Sequence, residues 1–189
     1  MFLQKVIAKL FSVCLYPFEF KRIGKHSKIV SPLRIDGKRF ISVGDHVEIQ
    51  YKTWLACVPL TGVDVPVLCI GDGTIIGNFN HIYATKSIVI EDHVLTADKV
   101  YISDNLHSYE NPDIPILHQP IKQISSVVIG SGSWLGENVC IIGASVGKHC
   151  VIGANSVVTN DIPDYSVAVG VPAKVIKRYN FETKIWEKI

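Results

Sequence analysis

The sequence predicts an all-β protein, a single chain wound into a parallel β-solenoid of about six triangular coils. Three observations predict it. Aliphatic residues recur every six positions, at Ile23, Ile29, Ile35; Val43, Ile49, Leu55; Ile70, Ile76, Ile82; Ile90, Thr96, Ile102; Ile129, Leu135, Ile141; and Val146, Ile152, Val158. All but Thr96 are Ile, Val or Leu, types that fill only about a third of the chain. Glycine often follows the aliphatic, at Gly24, Gly44, Gly71, Gly77, Gly130, Gly136, Gly147 and Gly153, as suits a corner where a branched neighbour would clash. The beat also breaks only between triples, gaining 2, 9, 2 and 21 residues and losing 1.

A period of six is neither 3.6 nor plain alternation. It fits a short strand, a corner and the next short strand, with one inward aliphatic per strand. Three strands close a coil of 18 residues, the span of one slot triple. Coils stacked about 4.8 Å apart make a column about 29 Å tall. With three strands per coil, every irregularity falls at one corner, so loops leave a single edge of the prism. A β-sandwich of short strands would not hold this phase.

The elements follow in order. Residues 1–22 read as an N-terminal cap. Phe2, Leu3, Val6, Ile7, Leu10, Phe11 and Cys14 share one helical face. Such a helix would cover the edge of the first coil, or lie on a membrane surface with Lys21 and Arg22 near phosphates. Its uncharged run is too short to span a bilayer and it lacks a small-residue cleavage site. Residues 23–163 form the solenoid, interrupted by a protruding loop at 103–128. Residues 164–189 form a tail, in which 174–189 pack back on the solenoid as strand or helix with Trp186 as an anchor.

At 189 residues the chain is one domain with termini, and its formal charge of +2 with dispersed Lys and Arg shows no nucleic-acid footprint. Cys14, Cys57, Cys69, Cys140 and Cys150 make an odd count without a CxxC pair. They read as buried, reduced thiols of a cytoplasmic protein, and none is expected to act as a nucleophile.

A solenoid wall is monotonous, so chemistry is sought on what leaves it. The long loop reads SDNLHSYENPDIPILHQPIKQISSV. His107 stands at its base, held by the wall yet open to a cleft, as a general base near neutral pH requires. His118, between Pro115 and Pro120, reads as part of an interaction arm. An orienting acceptor for His107 could be Asp104, Glu110 or a backbone carbonyl.

The stretch from Trp134 to Lys177, WLGENVCIIGASVGKHCVIGANSVVTNDIPDYSVAVGVPAKVIK, resembles the C-terminal signature of hexapeptide-repeat O-acetyltransferases. VIGANSVVTNDIP followed by GVPAKVIK is its most specific part. The chain is most similar to the lipopolysaccharide and surface-polysaccharide O-acetyltransferases, through YISDxxH and the tail KRYNFETKIWEKI, and also resembles the maltose and galactoside enzymes. The resemblance runs from about residue 65 to the end; earlier residues share only the repeat. It implies a left-handed parallel β-helix, a homotrimer, and acetyl-CoA bound between subunits as cosubstrate, with no metal. It implies His107 as catalytic base and Asn80, within Asn78-Phe79-Asn80, at the acceptor site with Asp104. Coenzyme contacts would fall to Trp134, Gly136, Ala154, Thr159, Asn160, Lys174 and Lys177. The chain departs from the pattern at Asn105, where many relatives carry His, and at Asn160, where sugar acetyltransferases often carry Lys.

The expected function is therefore transfer of acetyl from acetyl-CoA to a sugar hydroxyl in surface-polysaccharide or lipopolysaccharide biosynthesis. The setting would be the cytoplasm, or the inner face of the membrane if residues 1–20 bind it. Other readings are an acetyltransferase for a small xenobiotic acceptor or a non-catalytic trimeric scaffold. The γ-class carbonic anhydrases also resemble this repeat, and His81, His107 and His118 could be offered as zinc ligands, though their spacing does not match that family's.

Overall fold

The computed structural model describes residues 19–189. The helix expected over residues 1–20 falls almost wholly outside them, and Arg22–Ile23, at the end of the expected cap, is already the first strand. Three parallel sheets form the faces of a triangular column. The first face stacks Arg22–Ile23, Ile41–Val43, Val67–Ile70, Ser87–Ile90 and Val127–Ile129. The second begins at Lys28–Ile29 and passes through Glu48–Ile49, Ile75–Ile76, Leu95–Thr96, Trp134–Leu135 and Val151–Ile152. The third stacks Arg34–Asp36, Trp54–Cys57, His81–Ala84, Tyr101–Ser103, Cys140–Ile142 and Val157–Val158.

The six-residue beat sets the register. On the third face Ile35, Leu55, Ile82, Ile102, Ile141 and Val158 pair in sequence. On the first, Ile23, Val43, Ile70, Ile90 and Ile129 do so, and single bridges extend the column to Val146 and Ile162. Every slot from Ile29 onward is buried except Ile35, which like Ile23 is partly buried against the core.

The interior holds more than one side chain per strand. From the second coil on, the residue two before the slot also points inward: Ile41, Leu68, Ile88, Val127 and Ala144 on the first face are all buried. On the other faces this second position is often Ser, Thr or Asn. These groups staple one coil to the next: Ser27 Oγ donates to Gly44 O at 2.6 Å, Thr74 Oγ1 to Glu91 O at 2.9 Å and Ser133 Oγ to Gly147 O at 2.8 Å. Small hydroxyls are tolerated there because each finds a carbonyl that the corner leaves unpaired.

Glycine after the slot answers to space. A Cβ on Gly136 would stand 2.7 Å from Ala154 N and 3.0 Å from Ile152 O. The left-handed residue at the first and second corners comes three after most slots and is seldom Gly, as at His46, Lys52, His93, Lys99, Asn138 and Asn155.

All insertions leave the third corner, between third-face and first-face strands. Parallel stacking also runs past residue 163, the expected end of the solenoid. Ser166–Val169 continues the second face in parallel with Val151–Ile152 and buries Ala168 in the next slot. The chain then reverses, and Lys174–Asn180 and Ile185–Lys188 add two antiparallel strands. The tail is therefore strand, and Trp186 lies against Tyr179 at 5.5 Å while staying 40% exposed.

Candidate functional site

The long insertion rises from the third corner as a hairpin. Asn105–His107 pairs antiparallel with Ile121–Gln123, setting His107 opposite Ile121. A 3-10 turn at Ile116–His118 builds the tip, where Ile116 and Leu117 are exposed. His107 is exposed on the hairpin stem. His118 is exposed at the tip.

A buried polar knot fixes the hairpin root. Asp104 is fully buried, and its carboxylate accepts from the backbone N–H groups of Thr85, Lys86 and Ser87 at 2.8–3.1 Å, from Thr85 Oγ1 at 3.0 Å and from Asn105 Nδ2 at 2.8 Å. Gln123 Nε2 donates to Asp104 O and Ser125 O, both at 2.8 Å. Carboxylate is the right group here: it offers several lone pairs to a corner whose amides all point one way.

This arrangement changes two expectations. Asp104 has no face open to an acceptor; it shapes the root that carries His107. Asn80 is likewise buried, with Nδ2 donating to Ala97 O at 2.8 Å and Asn78 O at 3.2 Å and Oδ1 accepting from Thr96 at 2.9 Å. In this chain its amide closes a corner. The two carboxylates considered as orienting acceptors for His107 are also engaged elsewhere. Glu110 takes Lys122 on one oxygen and Tyr109 N–H on the other, and the Lys122 bond holds its carboxyl down at about 2.

The coenzyme candidates gather toward the far end of the column. Ala154 is exposed at the second corner of the last full coil, and Thr159 and Asn160 at its third. Thr159 follows Val158, which lies two strands along the third face from Ile102. The edge bearing His107 therefore carries Thr159 about 10 Å farther along. The exposed Lys174 sits opposite Val169 as the tail reverses, while Lys177 lies between Val167 and Lys188. Trp134 projects from the second face at 48% exposure. Gly136 is buried, so its part is a close-packed corner.

Burial pushes the Cys57 thiol up to about 12, reinforced by the nearby Asp104 charge, and raises Cys150 as well. Neither is poised as a nucleophile. Among the described residues no group of three or more His, Cys, Asp or Glu could hold a metal. His81 stacks on Trp54 on the third face, apart from the exposed hairpin tip that carries His118. Sequence reasoning overlooked this aromatic surface. Its signal was the residue before the first four third-face slots: Arg34, Trp54, His81, Tyr101.

The chain matches no family model. It is 42% identical over 130 residues, 65% of its length, to WbbJ of Escherichia coli K12, named as a lipopolysaccharide biosynthesis O-acetyl transferase. That match spans 66% of WbbJ, and matches to the next relatives span less, so the chain covers less than two thirds of their lengths. The N-acyltransferase AntD of Bacillus cereus, solved with dTDP and coenzyme A, shares the fold at a TM-score of 0.74 and 20% identity, over 89% of this chain and 90% of AntD. The acetyltransferase VCA0836 of Vibrio cholerae, a hexapeptide-repeat protein solved with acetyl coenzyme A, does so at 0.62 and 21%, over 94% and 86%.

Proposed function

We propose that the chain is a hexapeptide-repeat acetyltransferase and that it moves the acetyl group of acetyl-CoA to a sugar hydroxyl in lipopolysaccharide or surface-polysaccharide assembly. The observation that carries the reading is an exposed imidazole on a braced hairpin stem, sharing one solenoid edge with the exposed groups of the last coil. WbbJ's name supports the acceptor class, and the coenzyme complexes of AntD and VCA0836 support the donor.

His107 takes the proton of the acceptor hydroxyl as that oxygen attacks the thioester carbonyl. The C–S bond breaks, the acetyl ester forms, and the imidazolium returns its proton to the departing thiolate. Lys174 suits a coenzyme phosphate, and Trp134 offers an apolar surface. In this reading the working unit is a left-handed trimer. The exposed second-face stripe Ile75, Leu95 and Trp134 is one surface that a second copy would cover. Reduced cysteines and the supply of acetyl-CoA favour the cytoplasm.

The test is acetyl-CoA-dependent thiol release against nucleotide-linked, lipid-linked and polymeric sugars. His107→Ala should fold normally and lose about a hundredfold to ten-thousandfold in kcat. Unchanged turnover would remove His107 from the chemistry. Turnover of amines or small antibiotics with every sugar inert would place the chain among the xenobiotic enzymes.

A further inference from the structure

Outside the hairpin and the last coil, the third face carries a cluster of aromatic rings. Trp54 and His81 stack at 4.1 Å with their planes 8° apart. Tyr101 follows His81 at 5.2 Å, and Tyr83 meets Trp54 and His81 edge-on at 6.0 and 5.8 Å. Arg34 lies over Trp54 at 5.4 Å. All four rings are partly exposed.

The cluster is fixed in advance. Trp54 Nε1 donates to Asp36 Oδ2 at 3.0 Å, and Asp36 in turn holds the Arg34 guanidinium at 2.8 Å. It also adjoins the hairpin root. Ser103 pairs with Tyr83 across neighbouring strands, and Asn105, first residue of the strand that carries His107, donates its amide to Tyr83 O at 3.2 Å.

We propose that this face is a platform for the acceptor sugar, with a pyranose ring lying against Trp54, Tyr83 and Tyr101 beside the hairpin root. The proposal rests on the acetyl-transfer reading and adds where the acceptor lies. The flat C–H face of a sugar packs on aromatic rings, and its hydroxyls reach the phenols and the guanidinium. A hydroxyl-rich ligand matches a surface of rings with polar heads, whereas a packed second copy would bury those heads. The purely apolar stripe lies elsewhere, on the second face. Trp54 also precedes residue 65, where the shared signature begins, so the platform would select this chain's own acceptor.

The experiment compares native protein with Trp54→Leu and Trp54→Tyr on two readouts. The first is steady-state thiol release with a turned-over sugar from the acceptor panel. The second is saturation transfer from protein to the ring C–H protons of the same panel sugars, by NMR. Trp54→Leu should raise the acceptor KM roughly three- to tenfold, leave the KM for acetyl-CoA and the solution mass unchanged, and weaken saturation transfer; Trp54→Tyr should restore both readouts. An unchanged acceptor KM, or dissociation of the assembly, would overturn the platform. If no sugar is turned over, the transfer reading fails alone. The NMR arm still decides the platform, which falls if native protein transfers no saturation to any sugar.

Discussion

Thr96 is the one polar occupant of an aliphatic slot, and its hydroxyl explains it. Oγ1 donates to Asn80 Oδ1 at 2.9 Å and accepts from Gly77 N–H at 3.1 Å, inside the column. Thr96→Val keeps the shape and strands both partners. It should cost about 1–3 kcal/mol in denaturant unfolding, and a neutral result would mean that those partners find other bonds. His81 makes the matching case for charge. Desolvation lowers its pKa in the folded chain. Above the unfolded value near 6.5 both states are neutral and the group adds nothing to pH dependence. Below it the unfolded chain binds a proton that the folded chain resists, so stability should fall as pH drops from 6.5 until the lower folded pKa is passed. His81→Phe should keep the ring stack and flatten that part of the stability profile; an identical profile would show that other groups set it. At this scale the sequence was partly legible. His107 could be singled out because a loop base is set by spacing. The buried state of Asn80 and Asp104 could not, because burial depends on which carbonyls and amides the next coil brings within reach.

The hairpin and the solenoid are separable elements. The ladder passes beneath the insertion, with Ile88 pairing to Val127 and Ile90 to Ile129, so the coil after the hairpin is held by the coil before it. The root knot of Asp104 and Gln123 stays on the wall side. Replacing residues 106–122 by a two-residue Asn-Gly turn should preserve the far-ultraviolet dichroism and shift Tm by only a few degrees, while abolishing transfer. Collapse of the β signal would show that the hairpin is part of the core. That loops crowd one corner followed from counting between slots. Their shape did not: pairing of Asn105–His107 with Ile121–Gln123 is a long-range choice that a Pro-rich 26-residue segment does not announce. The tail shows the same limit. Its alternation allowed strand or helix, and the free edge at Ser166–Val169 decided for strand by offering unpaired backbone groups.

A column of this kind is quasi-one-dimensional, and each coil depends on its neighbours. The exposed stripe Ile75, Leu95 and Trp134 gives one face an apolar surface that a lone column leaves in water. If the proposed trimer covers that stripe, light scattering should find a mass of three times 20.9 kDa, and a monomer at micromolar concentration would remove the intersubunit coenzyme site from the proposal. The sequence by itself determined the period, the three faces, the inward column of slot residues on each and the single edge from which loops depart. Each of these repeats locally, and a repeat of six leaves few other ways to bury one aliphatic in six. Only the tertiary structure decided which polar groups close corners and which stay open, how far the stacking runs past Val158, and that Trp54, His81, Tyr83 and Tyr101 share one surface. Those outcomes depend on register between strands roughly twenty residues apart, and that register becomes visible only when one coil is laid on the next.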